Sequence, residues 1–392
     1  MRKQKPDRGV SHALLHPSDN LPEHIPEKIV IVGAGPAGCV AAIMLGREGF
    51  DVTLVEQHRF PRDKVCGECL STLGLSVLES LGLREKLRSR CNPVPLLRTV
   101  CITADGSRLE LKLPAAMWGI SRTALDSALL SLAAGSCRIL QPARAERLSH
   151  GDNLVFLSVR DLASNSITVI RADWVLIADG KGALGNSKPV PTRDLGVKSH
   201  WRGLDAPRDA IELFGVDGHY GGIAPVDDQQ FNISFSVPAI KVQAFAGDLD
   251  GLFRSFARQN RELHRQLGGA TRCSVWLAAP LPRFGVADHW PRGVIPLGNA
   301  AAALEPIGGE GMGLAMQSAV TVATELISAR NSSRAVNLPG MRNQFRRVWT
   351  PRRAACRLAA AVFSRPALAS PAIELFNCAP SLGAGLMRLV GK

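Results

Sequence analysis

Residues 28–56 read Lys28-Ile-Val-Ile-Val-Gly33-Ala-Gly35-Pro-Ala-Gly38-Cys-Val-Ala-Ala42-Ile-Met-Leu45-Gly-Arg-Glu-Gly49-Phe-Asp-Val52-Thr-Leu-Val-Glu56. The opening β-branched run is the pattern of a strand buried on both faces of a parallel sheet. It enters Gly33-Ala-Gly35-Pro-Ala-Gly38. There Gly33 permits a tight turn, Gly35 lets the backbone approach a pyrophosphate, and Gly38 lets the next helix sit close to the strand. The helix N-terminus presents unpaired N–H groups and a positive dipole end to phosphate. Ala42, Leu45, Gly49 and Val52 follow at the spacings of a helix packed back on its sheet, and a second strand closes on Glu56, 23 residues after Gly33. A carboxylate at that strand end accepts both ribose hydroxyls and disfavours a 2′-phosphate. Strand, turn, helix, second strand and acid agree, so the unit reads as a Rossmann-like domain for FAD or NAD rather than NADP.

Upstream, residues 1–27 contain Pro6, Pro17, Pro22 and Pro26 and read as a flexible tail. Their basic start has no apolar run behind it, so it is not a signal peptide. Downstream, Gly180-Lys-Gly182-Ala-Leu-Gly185 follows another strand. Asn186, Pro189 and Pro191 stand where a phosphate-binding helix would begin, and no strand ending in an acid follows. One dinucleotide domain is therefore expected, with no separate nicotinamide domain. A third glycine cluster, Gly298-Asn299-Ala-Ala followed by Pro306 and Gly308-Gly309-Glu310-Gly311-Met-Gly313, precedes an apolar helical stretch. Glycines at a helix start let a planar ligand lie against bare backbone, and the dipole stabilises negative charge on it.

The chain has 392 residues, 46% hydrophobic and 21% charged, the composition of a globular protein of two or three domains. Aromatics are 5% with a single tyrosine, which argues against a base-stacking nucleic-acid platform. The net charge of +13 attracts phosphates, anionic lipids or acidic proteins. Nine cysteines, an odd number on a long chain without a secretory leader, point to reduced thiols in a cytoplasm. No apolar run approaches the ~20 residues a membrane span needs.

The joint order of these motifs resembles the flavoprotein group of p-hydroxybenzoate hydroxylase. Within it, Phe60-Pro-Arg-Asp-Lys64-Val-Cys66-Gly67-Glu68 and His219-Tyr220-Gly-Gly222-Ile-Ala-Pro225 are similar to segments of the geranylgeranyl reductases. The resemblance covers roughly residues 28–330. It implies that Gly33, Gly35, Gly38 and Glu56 hold the ADP half of FAD. It places Arg122 near the flavin phosphates, links Asp179 and Gly180 to FAD and NAD(P)H handling, and sets Gly298, Asn299, Gly309 and Gly311 along the flavin. Asn299 replaces the family's usual aspartate on the ribityl chain, and Gly222 replaces a common tryptophan, leaving the substrate side less enclosed.

The implied fold is α/β: a Rossmann-like FAD-binding domain (28–190 and 284–330), an inserted mixed or antiparallel sheet for the substrate (191–283), and a basic C-terminal helical cap (331–392). The implied activity is an FAD-dependent oxidoreductase delivering flavin hydride to a carbon–carbon double bond of a lipophilic, isoprenoid or polyketide-like substrate, with NAD(P)H as electron donor. A monooxygenase using NAD(P)H and oxygen is the alternative. A halogenase ranks below both, since its Trp-x-Trp-x-Ile-Pro signature is missing, and a non-catalytic flavin- or lipid-binding module is the reading from another class.

Two residues are candidates for chemistry. Cys66-Gly-Glu-Cys69 could be an inert pair, a redox dithiol or a lone reactive thiol, and in the family only Cys66 has a counterpart, beside flavin and substrate. Glu310, at the flavin-facing helix start, could relay protons or cap that helix. No His or Cys spacing suits a metal, so none is expected. From Arg342 to Lys392 there are nine basic residues and one acid, Glu374. This tail reads as helices broken at Pro351, Pro366, Pro371 and Pro380. It is either a solvated cap or a contact for a membrane surface or an acidic carrier, through Arg346, Arg347, Arg352 and Arg353.

Overall fold

Lys28–Val32 is the central strand of a five-stranded parallel sheet ordered Val294–Pro296, Trp174–Ile177, Lys28–Val32, Asp51–Val55 and Arg138–Leu140. Lys28 lies opposite Asp51 and Val32 opposite Val55, so Gly33 and Glu56 leave the sheet at the same edge. Ile29 and Ile31 point to one face, under the helices Pro36–Arg47, Arg122–Ala133 and Gly311–Asn331. Val30 and Val32 point to the other, under Leu157 and Val159 of an antiparallel three-stranded sheet spanning Ala143–His150, Val155–Asp161 and Ile167–Ala172. Burial on both faces explains the unbroken β-branched run, each such side chain contributing about 1.5–3 kcal/mol. The computed structural model describes residues 27–151, 154–180, 184, 194–227, 229–379 and 385. The N-terminal tail before Glu27, the glycine run at Gly182 and Gly185, and Pro380 lie outside the described residues.

A second, nine-stranded sheet packs against this domain. Its order is Thr271–Arg272, Asp194–Arg202, Gln230–Pro238, His219–Val226, Ala210–Val216, Val94–Ile102, Arg108–Gly119 and Cys69–Leu70, with Leu277–Pro280 also on Asp194–Arg202. The sheet is mixed, because Ala210–Val216 runs parallel to Val94–Ile102. Three of its strands lie between residues 69 and 119, before the 191–283 insert expected from sequence. The long hairpin Val94–Gly119 pairs its outer edge with Ala210–Val216, which would otherwise leave backbone groups unmatched.

On Gln230–Pro238, Phe231, Ile233, Phe235 and Val237 are buried, and Phe235 stacks on Phe253 and Phe256 of the helix Leu249–Arg258. The alternate residues Asn232, Ser234 and Ser236 face the FAD-binding domain, where Asn232 Nδ2 donates to the Cys66 carbonyl at 3.1 Å.

The C-terminal region is two helices, Leu338–Phe363 and Pro366–Cys378. Pro339 and Pro366 sit at the two helix starts, where a missing N–H costs nothing. Pro351 and Pro371 lie inside helices and do not break them, contrary to expectation. Pro351 and Arg347 are both exposed, so the Arg347 carbonyl that loses its in-helix donor faces water. Among the described residues, no helix is long and apolar enough to cross a membrane.

Candidate functional site

The three glycines of the first loop play different parts. Gly33 has φ +101, and a Cβ there would lie 2.6 Å from the Ala178 carbonyl oxygen, while a Cβ at Gly38 would collide with the Gly33 carbonyl. Both serve the fold. Gly35 has ordinary extended dihedrals, and the nearest atom to a Cβ there is an Arg122 guanidinium nitrogen at 3.9 Å. Nothing in the protein requires glycine at 35, so its bareness faces a ligand. Gly35 caps the helix Pro36–Arg47 without a side-chain hydrogen bond, leaving the first-turn amides for an anion.

Cations gather beside this loop. Arg122 is buried, and its Nε and terminal nitrogen donate to Asp126 at 2.9 and 2.6 Å. Burial works against its charge, and the fully buried Asp126 carboxylate more than offsets this, holding the guanidinium above its usual value. A terminal nitrogen of Arg62 lies 3.7 Å from the same carboxylate, while the buried Arg62 Nε has no hydrogen-bond partner. Lys64 stands 2.9 Å from where a Cβ on Gly180 would be. Burial first, then Arg122 and Arg62, push its ammonium down to about 8. Three cations face one carboxylate. That surplus, the orphaned Arg62 donor and the open Gly35 fit the pyrophosphate of a dinucleotide.

Glu56, Asp179 and Gly298 lie at the same edge, while Asn299 and Gly311 are exposed. Glu56 is buried, its Oε2 accepting the Ala34 N–H and its Oε1 the His58 N–H, each at 2.8 Å, so each oxygen keeps a lone pair for a ribose hydroxyl. Asp179 lies directly beneath Gly33, and Gly298 lies against Ala37 of the glycine-loop helix, its N–H donating to Ser318 Oγ at 2.8 Å. Gly309 has φ +66 and ends a short 3-10 turn, after which Gly311 starts the helix Gly311–Asn331. Asn299 is exposed on its own 3-10 turn beside Gly298.

Of the two chemical candidates, Cys66 sits within the site. It is half-buried, its Sγ accepts the Glu68 N–H at 3.4 Å, and its side chain also hydrogen-bonds Arg122. Cys69 is buried in a separate cluster with Leu96, Leu113 and Met117, and its Sγ donates to the Gly67 carbonyl at 3.4 Å. Glu310 occupies the cap position of the helix Gly311–Asn331, but its side chain makes no cap hydrogen bond. Instead it is buried 3.9 Å from Arg352 Nε of the C-terminal helix.

Sequence reasoning missed a half-open strip of the nine-stranded sheet. Leu213, Gly222, Ser234 and Ser236 are half-buried although they lie in the middle of the nine-stranded sheet, with Gly222 opposite Leu213 and Ser234. Their alternates Phe214, Gly221, Ile223 and Phe235 are fully buried. The open face is the one turned to Gly67, where a Cβ would lie 3.8 Å from Ser234 Oγ. At one end Tyr220 packs on Ile307, and its hydroxyl donates to Glu305 Oε1 at 2.6 Å. Burial raises the Glu305 carboxyl, against the Tyr220 hydrogen bond. The single tyrosine was a signal for Tyr220; nothing local marks Glu305, 85 residues away.

Comparison with known proteins gives the family. The family described as "FAD binding domain" matches residues 27–338. Menaquinone reductase of Mycobacterium tuberculosis (strain ATCC 25618 / H37Rv) is 28% identical over 335 residues, covering 78% of this chain and 78% of that one. The 3-demethoxyubiquinol 3-hydroxylase of Escherichia coli (strain K12) is 26% identical over 333 residues, covering 78% and 81%. The structure of the flavin-dependent brominase Bmp2 superposes with a TM-score of 0.76 at 18% identity over 93% of this chain and 92% of that one, a likeness of fold. The chain belongs to the FAD binding domain family and is an FAD-dependent flavoprotein of the oxidoreductase and monooxygenase type.

Proposed function

We propose that the chain reduces a carbon–carbon double bond of a lipophilic, isoprenoid or polyketide-like substrate, as the geranylgeranyl reductases do. The observation that carries this reading is the half-open strip Leu213–Gly222–Ser234 in the middle of a sheet, walled by the apolar side chains of Leu111 and Ile307. Bound FAD supplies the hydride. Arg122, Arg62 and Lys64 hold its phosphates, and Glu56 its ribose. Tyr220 and Glu305 manage the proton. With Glu305 protonated, its hydrogen bond to Tyr220 reverses and the phenol O–H turns to the half-open strip to protonate the substrate. NAD(P)H is the electron donor, binding without a domain of its own. The names of the two relatives, a menaquinone reductase and a demethoxyubiquinol hydroxylase, support a lipophilic substrate.

The hydroxylase name also favours the second reading, a monooxygenase. One experiment separates them. Protein reduced without oxygen is mixed with menaquinone, and the product mass is measured with and without oxygen readmitted. A gain of two hydrogens in the prenyl tail, kept after the quinol head group is reoxidised to the quinone, is the expected result under anaerobic conditions. A gain of an oxygen atom, only after oxygen enters, would replace reduction by hydroxylation.

The lipophilic substrate is met at an anionic membrane surface. On Pro366–Cys378, Leu368, Pro371, Leu375 and Cys378 form an exposed stripe opposite the buried Ala369 and Ile373, and Leu358 is exposed on the preceding helix. Arg357 and Arg365 are exposed beside them. Arg352 and Arg353 turn inward, toward Glu310 and Gly285, and Arg346 pairs with Asp288, so these three are poor choices for the contact. Each arginine near an anionic surface contributes about 1 kcal/mol. Wild-type protein should sediment with phosphatidylglycerol vesicles at low salt, and Arg357→Gln with Arg365→Gln should weaken this about thirtyfold. No sedimentation at low salt would return the helices to a solvated cap, and binding to an acidic carrier alone would replace the membrane.

A further inference from the structure

Glu68 combines two costly features. It is completely buried, and its φ of +58 lies in the left-handed region that L side chains avoid. Its carboxylate is fully engaged: Oε1 accepts from Lys198 Nζ at 2.7 Å and from the Arg122 backbone N–H at 2.7 Å, and Oε2 lies 2.6 Å from His200 Nε2. Lys198 is itself fully buried, and its ammonium donates a second bond to Asp63 Oδ1 at 2.6 Å. Asp63, a quarter exposed, also lies 3.7 Å from His200 Nδ1.

The two carboxylates come from the segment that crosses out of the parallel sheet, and the two bases from the strand Asp194–Arg202 of the nine-stranded sheet. Apolar side chains of similar volume would join two sheets as stably as a buried ion network does. The network does something they could not, because Glu68 also takes the first amide of the helix whose Arg122 guanidinium stands over Gly35. The Glu68 carbonyl accepts the Ile120 N–H at 2.9 Å, so Glu68 grips the turn before Arg122 from both its backbone and its side chain.

We infer that Glu68, with Lys198, His200 and Asp63, is a positioning set for the cofactor phosphates: it fixes the Ile120–Arg122 turn against the glycine loop and couples docking of the substrate sheet to FAD binding. Coupling of this kind is reciprocal. A network that orders Arg122 tightens FAD, and FAD in turn holds the nine-stranded sheet in place.

The test is FAD titration by fluorescence quenching on Lys198→Met and Asp63→Asn, with far-UV circular dichroism to confirm the fold, each repeated in an Arg122→Met background. Lys198→Met should weaken FAD binding about tenfold or more, and Asp63→Asn, which leaves the Lys198–Glu68 pair, about threefold. In the Arg122→Met background both losses should largely disappear, because the network acts through Arg122. A merely structural network would lower thermal stability and leave the FAD dissociation constant unchanged. That result, or losses of equal size in both backgrounds, would overturn the inference. Should Lys198→Met fail to fold, Asp63→Asn decides by the same comparison.

Discussion

A Gly35→Val variant is expected to fold normally and to lose FAD. Position 35 has φ −74 and ψ −176, dihedrals that valine adopts freely and that the following Pro36 favours. A Cβ there finds no protein atom closer than Arg122 at 3.9 Å. The added side chain therefore occupies only the space over the helix N-terminus, where a pyrophosphate must come within hydrogen-bond distance of the amides. Affinity should fall by about a hundredfold or more, read by fluorescence titration, and the purified protein should be colourless with a native far-UV spectrum. The neighbouring Gly38→Val is the internal control. Its side chain would meet backbone on the adjacent strand end, so it should cost the fold itself. Wild-type FAD content in folded Gly35→Val would remove the loop from the cofactor site.

The same stretch shows what was legible in the sequence. From Lys28 to Glu56 the local pattern alone names the elements: a β-branched run for a strand buried on both faces, a turn at Gly33, a helix seated by Gly38. Local pattern was enough there. It was not enough for Glu68 and Lys198, which lie 130 residues apart and become partners only because two sheets meet. The hairpin Val94–Gly119 failed for a related reason. Its alternation marks strands but carries no record that Arg98 will face Ala210. Pro351 misled because a proline's cost depends on whether the freed carbonyl reaches water, which only burial reveals. Arg352 and Arg353 likewise looked like surface charge until the helix phase turned them inward.

The other large effect concerns Asp126. In Asp126→Asn, Arg122 would lose the only carboxylate bound to its guanidinium among the described residues, and both groups are buried. Removing one partner of a buried pair typically costs about 3–5 kcal/mol, because the survivor stays charged without compensation. The loss is aggravated here, since Arg62 and Lys64 lean on the same carboxylate. The FAD-free variant should therefore melt below the wild type, by roughly 4–6 °C. FAD changes the comparison. Its pyrophosphate brings negative charge to the same three cations, so the bound state regains much of what the substitution removed. A ligand stabilises in proportion to the logarithm of its concentration over its dissociation constant. The rise in melting temperature on adding saturating FAD should accordingly be larger in Asp126→Asn than in the wild type, with binding as tight or tighter. Scanning calorimetry with and without FAD measures both quantities. An equal or smaller rise in the variant would mean that Asp126 orients Arg122 rather than neutralising it, and that the phosphates do not share its cations.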